Sequence, residues 1–255
     1  MKVRAKKHLG QHFLKDENIA AKTANLVDNY PLKNWLEIGP GMGVLTQFLI
    51  KKDIALKAVE IDTESVVYLS ENMPQLTVLE TDFLKTDISD LFPADFGVIG
   101  NFPYNISSQI LFKILENRDK IPAFAGMFQL EVGQRVASKP HSKAYGILSV
   151  LVQAFYEVKL EFQIPPSVFS PPPKVQSVVI SGKKINQSIN CNSELFFDVV
   201  KTAFQQRRKT LSNALKKFNL PKERVSENEL FKLRAENLSV QDFDKLTDFI
   251  EKNRV

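Results

Sequence analysis

The sequence predicts an α/β protein, with a mostly parallel sheet flanked by helices and a small all-helical domain after it. Three observations carry that expectation. Four short strand-like runs, each closing on glycine or polar residues, alternate with helical patterns between residues 34 and 101. The first run leads directly into a glycine-rich turn. Beyond a polar connector at 182–193, the apolar spacing is helical. A length of 255 residues with 44 % apolar content supplies enough material for a core in each part.

Residues 1–15 read as a basic arm, in which Lys2, Arg4, Lys6, Lys7 and Lys15 precede the first acid, Asp16. The arm ends in Gly10-Gln11-His12-Phe13-Leu14. Asp16 or Asn18 is placed to cap a helix through Ile19, Ala20, Thr23, Ala24 and Val27, which Pro31 ends. The strand-like runs are Asn34–Ile38, Leu56–Val59, Leu76–Leu79 and Phe96–Gly100, with helices expected over 44–52 and 63–72. Right-handed crossovers then set all four strand ends along one rim. A fifth strand, Ala123–Leu130, precedes a helix over 131–138 and a polar loop over 139–145. Residues 146–155 are read as helix, and 158–164 and 175–181 as strands. The proline-rich stretch 165–173 excludes helix and central strand and should be stiff. One long helix, Glu194–Phe218, carries Phe197, Val200, Phe204, Leu211 and Leu215 on one face. Two more follow over 226–233 and 239–253, with Ser226/Glu229 and Ser239/Asp242 as capping pairs.

Composition excludes several classes of function. Cys191 is the only cysteine, so there is no internal disulfide and no cysteine-based zinc site. His8, His12 and His141 lack metal-ligand spacing, and no metal is expected. No run approaches the roughly 18 apolar residues of a membrane span, and the N-terminus lacks a secretory apolar run. A cytoplasmic location is therefore expected. The net charge of +5 is concentrated in two places. One is the arm. The other is 199–218, where Lys201, Arg207, Arg208, Lys209, Lys216 and Lys217 are the only charges. Two single-sign blocks suggest a surface for a polyanion.

The rim carries the chemistry. Gly39, Gly41 and Gly43 form G-x-G-x-G, which lets the backbone turn tightly against a ligand. The dinucleotide fingerprint would need glycine at 44, and Val44 there argues against a nicotinamide oxidoreductase. Glu60 closes the second strand, where a carboxylate can hold both ribose hydroxyls. Asp82 closes the third, where it can accept from an adenine amine. Glycines, an acid and an acid on successive strand ends point to an adenosine-type ligand. There is no P-loop. At the fourth end stands Asn101-Phe102-Pro103-Tyr104. Asn101 offers a side-chain carbonyl, and Phe102 a backbone carbonyl kept out of helix by the following proline. Tyr104 offers a flat face.

With S-adenosylmethionine as the ligand, the methyl group is already activated, and the protein has chiefly to aim a nucleophile. Orientation of that kind supplies about 7–11 kcal/mol. An exocyclic amine is a weak nucleophile, because its lone pair is delocalised into the ring. Acceptors aimed at its N–H groups favour a pyramidal nitrogen. Stacking of a flipped-out base on Tyr104 adds about 1–3 kcal/mol.

The chain resembles the ribosomal RNA adenine N6,N6-dimethyltransferase family, and within it the members that act on the small subunit. The resemblance covers nearly the whole length. It rests on Leu36 to Gly43, Glu60, Asp82 and Asn101 to Asn105, and on Phe169 to Ser177 and Phe204 to Asn213, the last two specific to the family. It implies a Rossmann-like S-adenosylmethionine-dependent methyltransferase fold with seven strands, the last antiparallel. Residues 1–185 would be the catalytic domain and 190–255 a helical rRNA-binding domain. It also implies that the chain dimethylates two adjacent adenines in the 3′-terminal hairpin loop of 16S rRNA, within a small-subunit precursor. Nothing in the sequence suggests an obligate oligomer, so a monomer is expected. By the resemblance, His12, Leu14, Gly39, Gly41, Glu60, Ile61, Asp82, Phe83 and Asn101 bind the donor. Asn101, Phe102, Pro103 and Tyr104 form the catalytic motif, and Lys6, Lys7, Arg207, Arg208 and Lys209 grip RNA phosphates. His12 departs from the family's usual asparagine, and Phe102 stands where many relatives carry leucine. The competing readings are the large-subunit methyltransferase of the macrolide-resistance type and a non-catalytic assembly factor on the same fold.

Overall fold

The computed structural model describes residues 3–88, 90–186 and 189–254; Lys2 of the arm lies outside them. The arm forms a two-residue strand, Phe13–Leu14 (β1). The strands that follow are Asn34–Ile38 (β2), Ala55–Glu60 (β3), Thr77–Glu80 (β4), Phe96–Asn101 (β5), Ala123–Gln129 (β6), Tyr156–Ile164 (β7), Phe169–Ser170 (β8) and Ser177–Lys184 (β9). Seven of them make one sheet in the order β4-β3-β2-β5-β6-β9-β7. The pairs β3–β4, β2–β3, β2–β5 and β5–β6 are parallel, and β9 runs antiparallel to β6. β5 and β6 are buried almost end to end. Their apolar runs are continuous rather than alternating because helices cover both faces. The strand order reverses between β2 and β5. In open α/β sheets such a switch point opens a crevice at the carboxyl ends of the strands, here at Gly39 and Asn101.

The helices are Glu17–Ala24 (α1), Thr46–Leu49 (α2), Thr63–Asn72 (α3), Ser107–Glu116 (α4), Leu130–Val136 (α5), Ile147–Gln153 (α6), Ser193–Gln205 (α7), Leu211–Ala214 (α8), Lys222–Glu227 (α9) and Val240–Asn253 (α10). Asp16 caps α1 by accepting from Ile19 N at 3.0 Å. That helix gives way to a 3-10 turn, Asn25–Asn29, before Pro31. α2 is shorter than expected because the glycine turn extends into it; Gly43 N donates to Pro40 O at 2.9 Å. The proline-rich stretch holds a 3-10 turn, Pro166–Val168, and then β8. β8 pairs antiparallel with β1, so this stiff stretch anchors the arm. No helix among the described residues is long and apolar enough to cross a membrane.

Three sequence-based expectations need correcting. The chain divides into two compact units, Met1–Gly133 with Val158–Lys184, and Gln134–Glu157 with Ile185–Val255. The expected break between 185 and 190 is therefore one of three crossings, and 134–157 belongs with the C-terminal helices. The reason is packing: α6 buries Leu148, Val150, Leu151 and Val152. In the same unit Tyr145 donates to Leu238 O at 2.9 Å, and the Phe155 and Phe197 rings lie 6.0 Å apart.

The second correction concerns Glu194–Phe218, which is not one helix. α7 stops at Gln205, a turn closes from Lys209 N to Gln206 O at 2.8 Å, and α8 starts after an extended Thr210. Arg207, Arg208 and Lys209 therefore lie past the carboxyl end of α7, where cations complement the helix dipole, and not on a helix. Ser226 lies inside α9 and caps nothing; Asn228 caps the Glu229–Lys232 turn, accepting from Leu230 N at 3.0 Å. Ser239 and Asp242 do form a reciprocal capping box at the start of α10.

Candidate active site

The β2 turn is built on three left-handed glycines, Gly39, Gly41 and Gly43, with φ of 65°, 57° and 76°. Only glycine takes these angles without strain. A Cβ on Gly39 would meet nothing nearer than Pro103 at 3.8 Å and would project into a cavity. That cavity is lined by Gly39, Gly41, Glu60, the Asn101–Tyr104 motif and the arm from Leu9 to Phe13. A second cavity of about 210 Å³ continues it along Val59, Asp82, Phe83 and Leu84. The two share Leu9, Gly39, Glu60, Ile61 and Pro103, so they are one groove.

Glu60 stands at the middle of the groove. Its Oε2 accepts from Gly41 N at 3.0 Å, and its Oε1 from Ile61 N at 2.9 Å and Asp62 N at 3.0 Å. These bonds fix the carboxylate and leave lone pairs toward the cavity. Burial pushes its pKa above the ordinary carboxylate range, against the pull of the three backbone N–H groups. Ile61 is 48 % exposed and presents an apolar ledge beside it. Asp82 organises the far end, with Oδ1 accepting from Leu84 N at 2.9 Å. Lys113, from α4, braces this loop by donating to the carbonyls of Leu84, at 3.1 Å, and Thr86. Its ammonium also lies 5.2 Å from the Phe83 ring centroid.

At the near end, Asn101 Nδ2 donates to His12 O at 2.9 Å. The amide is thereby oriented with Oδ1 left without a partner among the described residues. The Phe102 ring is buried edge-on to Phe128, with centroids 4.8 Å apart. It fits only because position 126 is glycine, where a Cβ would come within 2.4 Å of the ring. Pro103 O and Tyr104 O accept from Ile106 N and Ser107 Oγ, each at 3.2 Å, and so start the turn into α4. The Tyr104 hydroxyl bonds the Ser177 hydroxyl at the start of β9. Burial raises the Tyr104 pKa. The His12 ring packs against Tyr104 with centroids 5.2 Å apart, and its Nδ1 lies 2.7 Å from Pro171 O, so Nδ1 carries the proton.

The expected site residues are not all placed alike. His12, Gly39, Gly41, Glu60, Ile61, Asp82, Phe83 and Asn101 to Tyr104 line the groove. Leu14 does not; its side chain joins the core with Val27 and Phe169. Lys6 is not a free cation. It pairs with Asp62 and with Glu64 at 3.2 Å, and its backbone N donates to Gln11 Oε1 at 2.7 Å. Gln11 Nε2 in turn reaches Asp62 Oδ2 at 3.2 Å. Burial pushes the Asp62 pKa up, but the bonds from Lys6, Gln11 and Ser65 outweigh it and hold the carboxyl low. Lys7 is exposed.

In the helical unit, Arg207 Nε donates to Glu236 Oε2 at 2.5 Å, and its terminal nitrogen to Lys143 O at 3.0 Å. Arg208 and Lys209 are exposed. Sequence reasoning missed Leu9, Gln11, Phe13, Lys113 and Ser177. The one available signal was the uncharged break Leu9-Gly10-Gln11 in an otherwise basic arm.

Glu37, on β2, is also buried beneath the glycine turn. Its Oε2 has no hydrogen-bond partner among the described residues. Burial pushes its pKa up to about 8, with the Glu60 charge adding to the rise and the nearby Thr46 hydroxyl opposing it.

Comparison with known proteins gives consistent matches. Residues 2–252 match the family described as Ribosomal RNA adenine dimethylase. The chain is 53 % identical over 258 residues to the Ribosomal RNA small subunit methyltransferase A of Flavobacterium johnsoniae, covering 100 % of this chain and 98 % of that one. It is 51 % identical over 254 residues to the protein of the same name from Bacteroides thetaiotaomicron, covering 98 % and 95 %. Among solved structures, a dimethyladenosine transferase from Plasmodium falciparum superposes with a TM-score of 0.81 at 25 % identity, covering 94 % of this chain and 98 % of that one. The 23S rRNA methyltransferase ErmE shares the fold, with a TM-score of 0.71 at 23 % identity over 94 % and 99 % of the two chains.

Proposed function

Because this chain belongs to the ribosomal RNA adenine dimethylase family, we propose that it methylates the N6 amines of two adjacent adenines in the 3′-terminal hairpin loop of 16S rRNA. The donor is S-adenosylmethionine, and the substrate is a precursor of the small ribosomal subunit. The observation that carries this reading is the fixed polarity of Asn101. Its Nδ2 is engaged by His12 O, which leaves Oδ1 as an acceptor in the groove that also contains Gly39 and Glu60.

The residues fit the donor. The open space before Gly39 suits a ligand pressed against backbone. Gly39 and Gly41 would lie under the methionine part, Glu60 would hold the ribose hydroxyls, and Asp82, Phe83 and Ile61 would hold the adenine. When bound, the donor supplies a methyl group activated by its sulfonium. The Asn101 Oδ1 and Phe102 carbonyls accept from the target N–H groups and hold the nitrogen lone pair toward the methyl. Pro103 fixes the backbone between them. Tyr104, held through Ser177, presents its ring to the flipped-out base. The methylated nitrogen is acidic and loses its proton to water, so no strong general base is needed. Lys7, Arg208 and Lys209 are the basic candidates left to contact phosphates, which position RNA without reading its bases.

The test uses methyl-labelled donor with unmethylated small subunits, large subunits and free rRNA. Label is expected in small subunits. Asn101→Ala should abolish labelling while RNA binding persists. Labelling of large subunits alone would overturn the reading, and donor binding without any transfer would favour an assembly factor.

A further inference from the structure

The helical unit holds a cleft that this chemistry does not use. Leu215, Leu220, Val225 and Phe231 give it an apolar floor. Its volume of about 600 Å³ lies within the range of sites for small organic groups. Three cations, Lys216, Lys222 and Lys232, line it, and no carboxylate does. Glu223, Glu227 and Glu229 lie on the same elements but do not line the cleft. Glu227 pairs with Arg224 at 3.5 Å, and Glu229 with Lys232 at 2.5 Å. Lys216 and Lys222 are exposed and have no ion-pair partner among the described residues. Asn219, left-handed at φ 50°, adds an amide that can donate and accept. An apolar floor, an amide edge and a rim of cations without an acid select a ring-bearing ligand that carries negative charge beside the ring.

We propose that this cleft takes one unstacked nucleotide of the same rRNA. The base lies on the apolar floor and the flanking phosphates lie on Lys216 and Lys222. The assignment rests on the rRNA substrate proposed above. Sequence-selective RNA recognition works largely through splayed-out bases of this kind. A second anchored nucleotide, remote in sequence from the Asn101 motif, would fix which RNA hairpin is presented to the reacting groove. A peptide would also find apolar contacts here, but the acid-free rim favours the polyanion.

The full-length protein is tested with two variants. Val225→Trp fills the cleft, and Lys216→Gln with Lys222→Gln removes the free rim charge. Thermal unfolding and donor affinity establish that each variant is folded. Binding is measured to unmethylated small-subunit rRNA and to small subunits, across a range of salt. Val225→Trp is expected to weaken both about tenfold with an unchanged salt slope. The double glutamine variant is expected to lower the slope by about 1.4, the single-strand value for two phosphates. Wild-type binding by both folded variants overturns the cleft assignment and leaves the proposed methylation standing. Normal rRNA binding with lost particle binding also overturns it, because a ribosomal protein would then be the occupant. Failure of the wild-type chain itself to bind either RNA sample overturns the rRNA reading and this inference together.

Discussion

Glu37→Gln should make the stability of the sheet unit less sensitive to pH. In the folded chain burial keeps the carboxyl protonated up to about 8, whereas its ordinary value is 4.5. Between those values the folded state holds a proton that the unfolded state has released. Folding then becomes less favourable as pH rises, and the loss levels off above about 8. At about 1.4 kcal/mol per pH unit, the interval from 4.5 to about 8 amounts to about 5 kcal/mol for this one buried group. Glutamine has nearly the same shape and never ionises, so the variant should match wild type near pH 5. By pH 8 it should exceed wild type by about 4 kcal/mol, counting three pH units at the same rate. Urea titration followed by tryptophan fluorescence is the suitable assay. Trp35 is the only tryptophan, is fully buried, and sits on the same strand as Glu37. Parallel pH curves for the two proteins would show that Glu37 is ionised in the folded state and refute the argument.

Three further outcomes concern the basic residues, two of them ion-paired. Lys6→Gln should raise KM for the donor severalfold while leaving kcat at saturating donor nearly unchanged, because Lys6 positions the arm and not the reacting atoms. An unaltered KM would sink that assignment. Arg208→Ala with Lys209→Ala should lower the log–log salt slope of RNA binding by about 1.4. Arg207→Ala should leave the slope alone and lower the melting temperature, because its guanidinium is engaged by Glu236 and Lys143 O; a slope that falls equally in both variants would contradict this.

The strands and the rim were legible because each strand is short, apolar and closed by a residue with a local job. Gly39, Glu60, Asp82 and Asn101 could be set on one rim from the alternation of elements and right-handed crossovers, whereas their order along it follows from the sheet order β4-β3-β2-β5. The excursion of 134–157 was not legible. Its apolar helix, α6, reads the same whether it covers the sheet or packs on α7, and only tertiary packing decides. The break after Gln205 was missed because neither glycine nor proline marks it. The three consecutive cations were the available sign, since they suit a helix end better than a helix middle. The ion pairs of Lys6 and Arg207 were not legible for a common reason: charge runs state the sign of a surface, but not which members already have partners. Leu14 was carried over by resemblance, and its side chain sits in the core.

The arm is fastened at two ends that differ in kind. It is pinned on one side by Lys6 and Gln11 to Asp62 and on the other by the β1–β8 pairing, with Lys15 N donating to Val168 O at 2.8 Å. Leu9 to Phe13, which border the groove, run from one fastening into the other, Gln11 belonging to the first and Phe13 to the second. A strap fastened at both ends does not swing aside; one fastening must come undone first. The ionic fastening at Asp62 weakens with salt, whereas the backbone pairing does not. Raised ionic strength should therefore loosen the arm at its Asp62 end first, while the β1–β8 end holds.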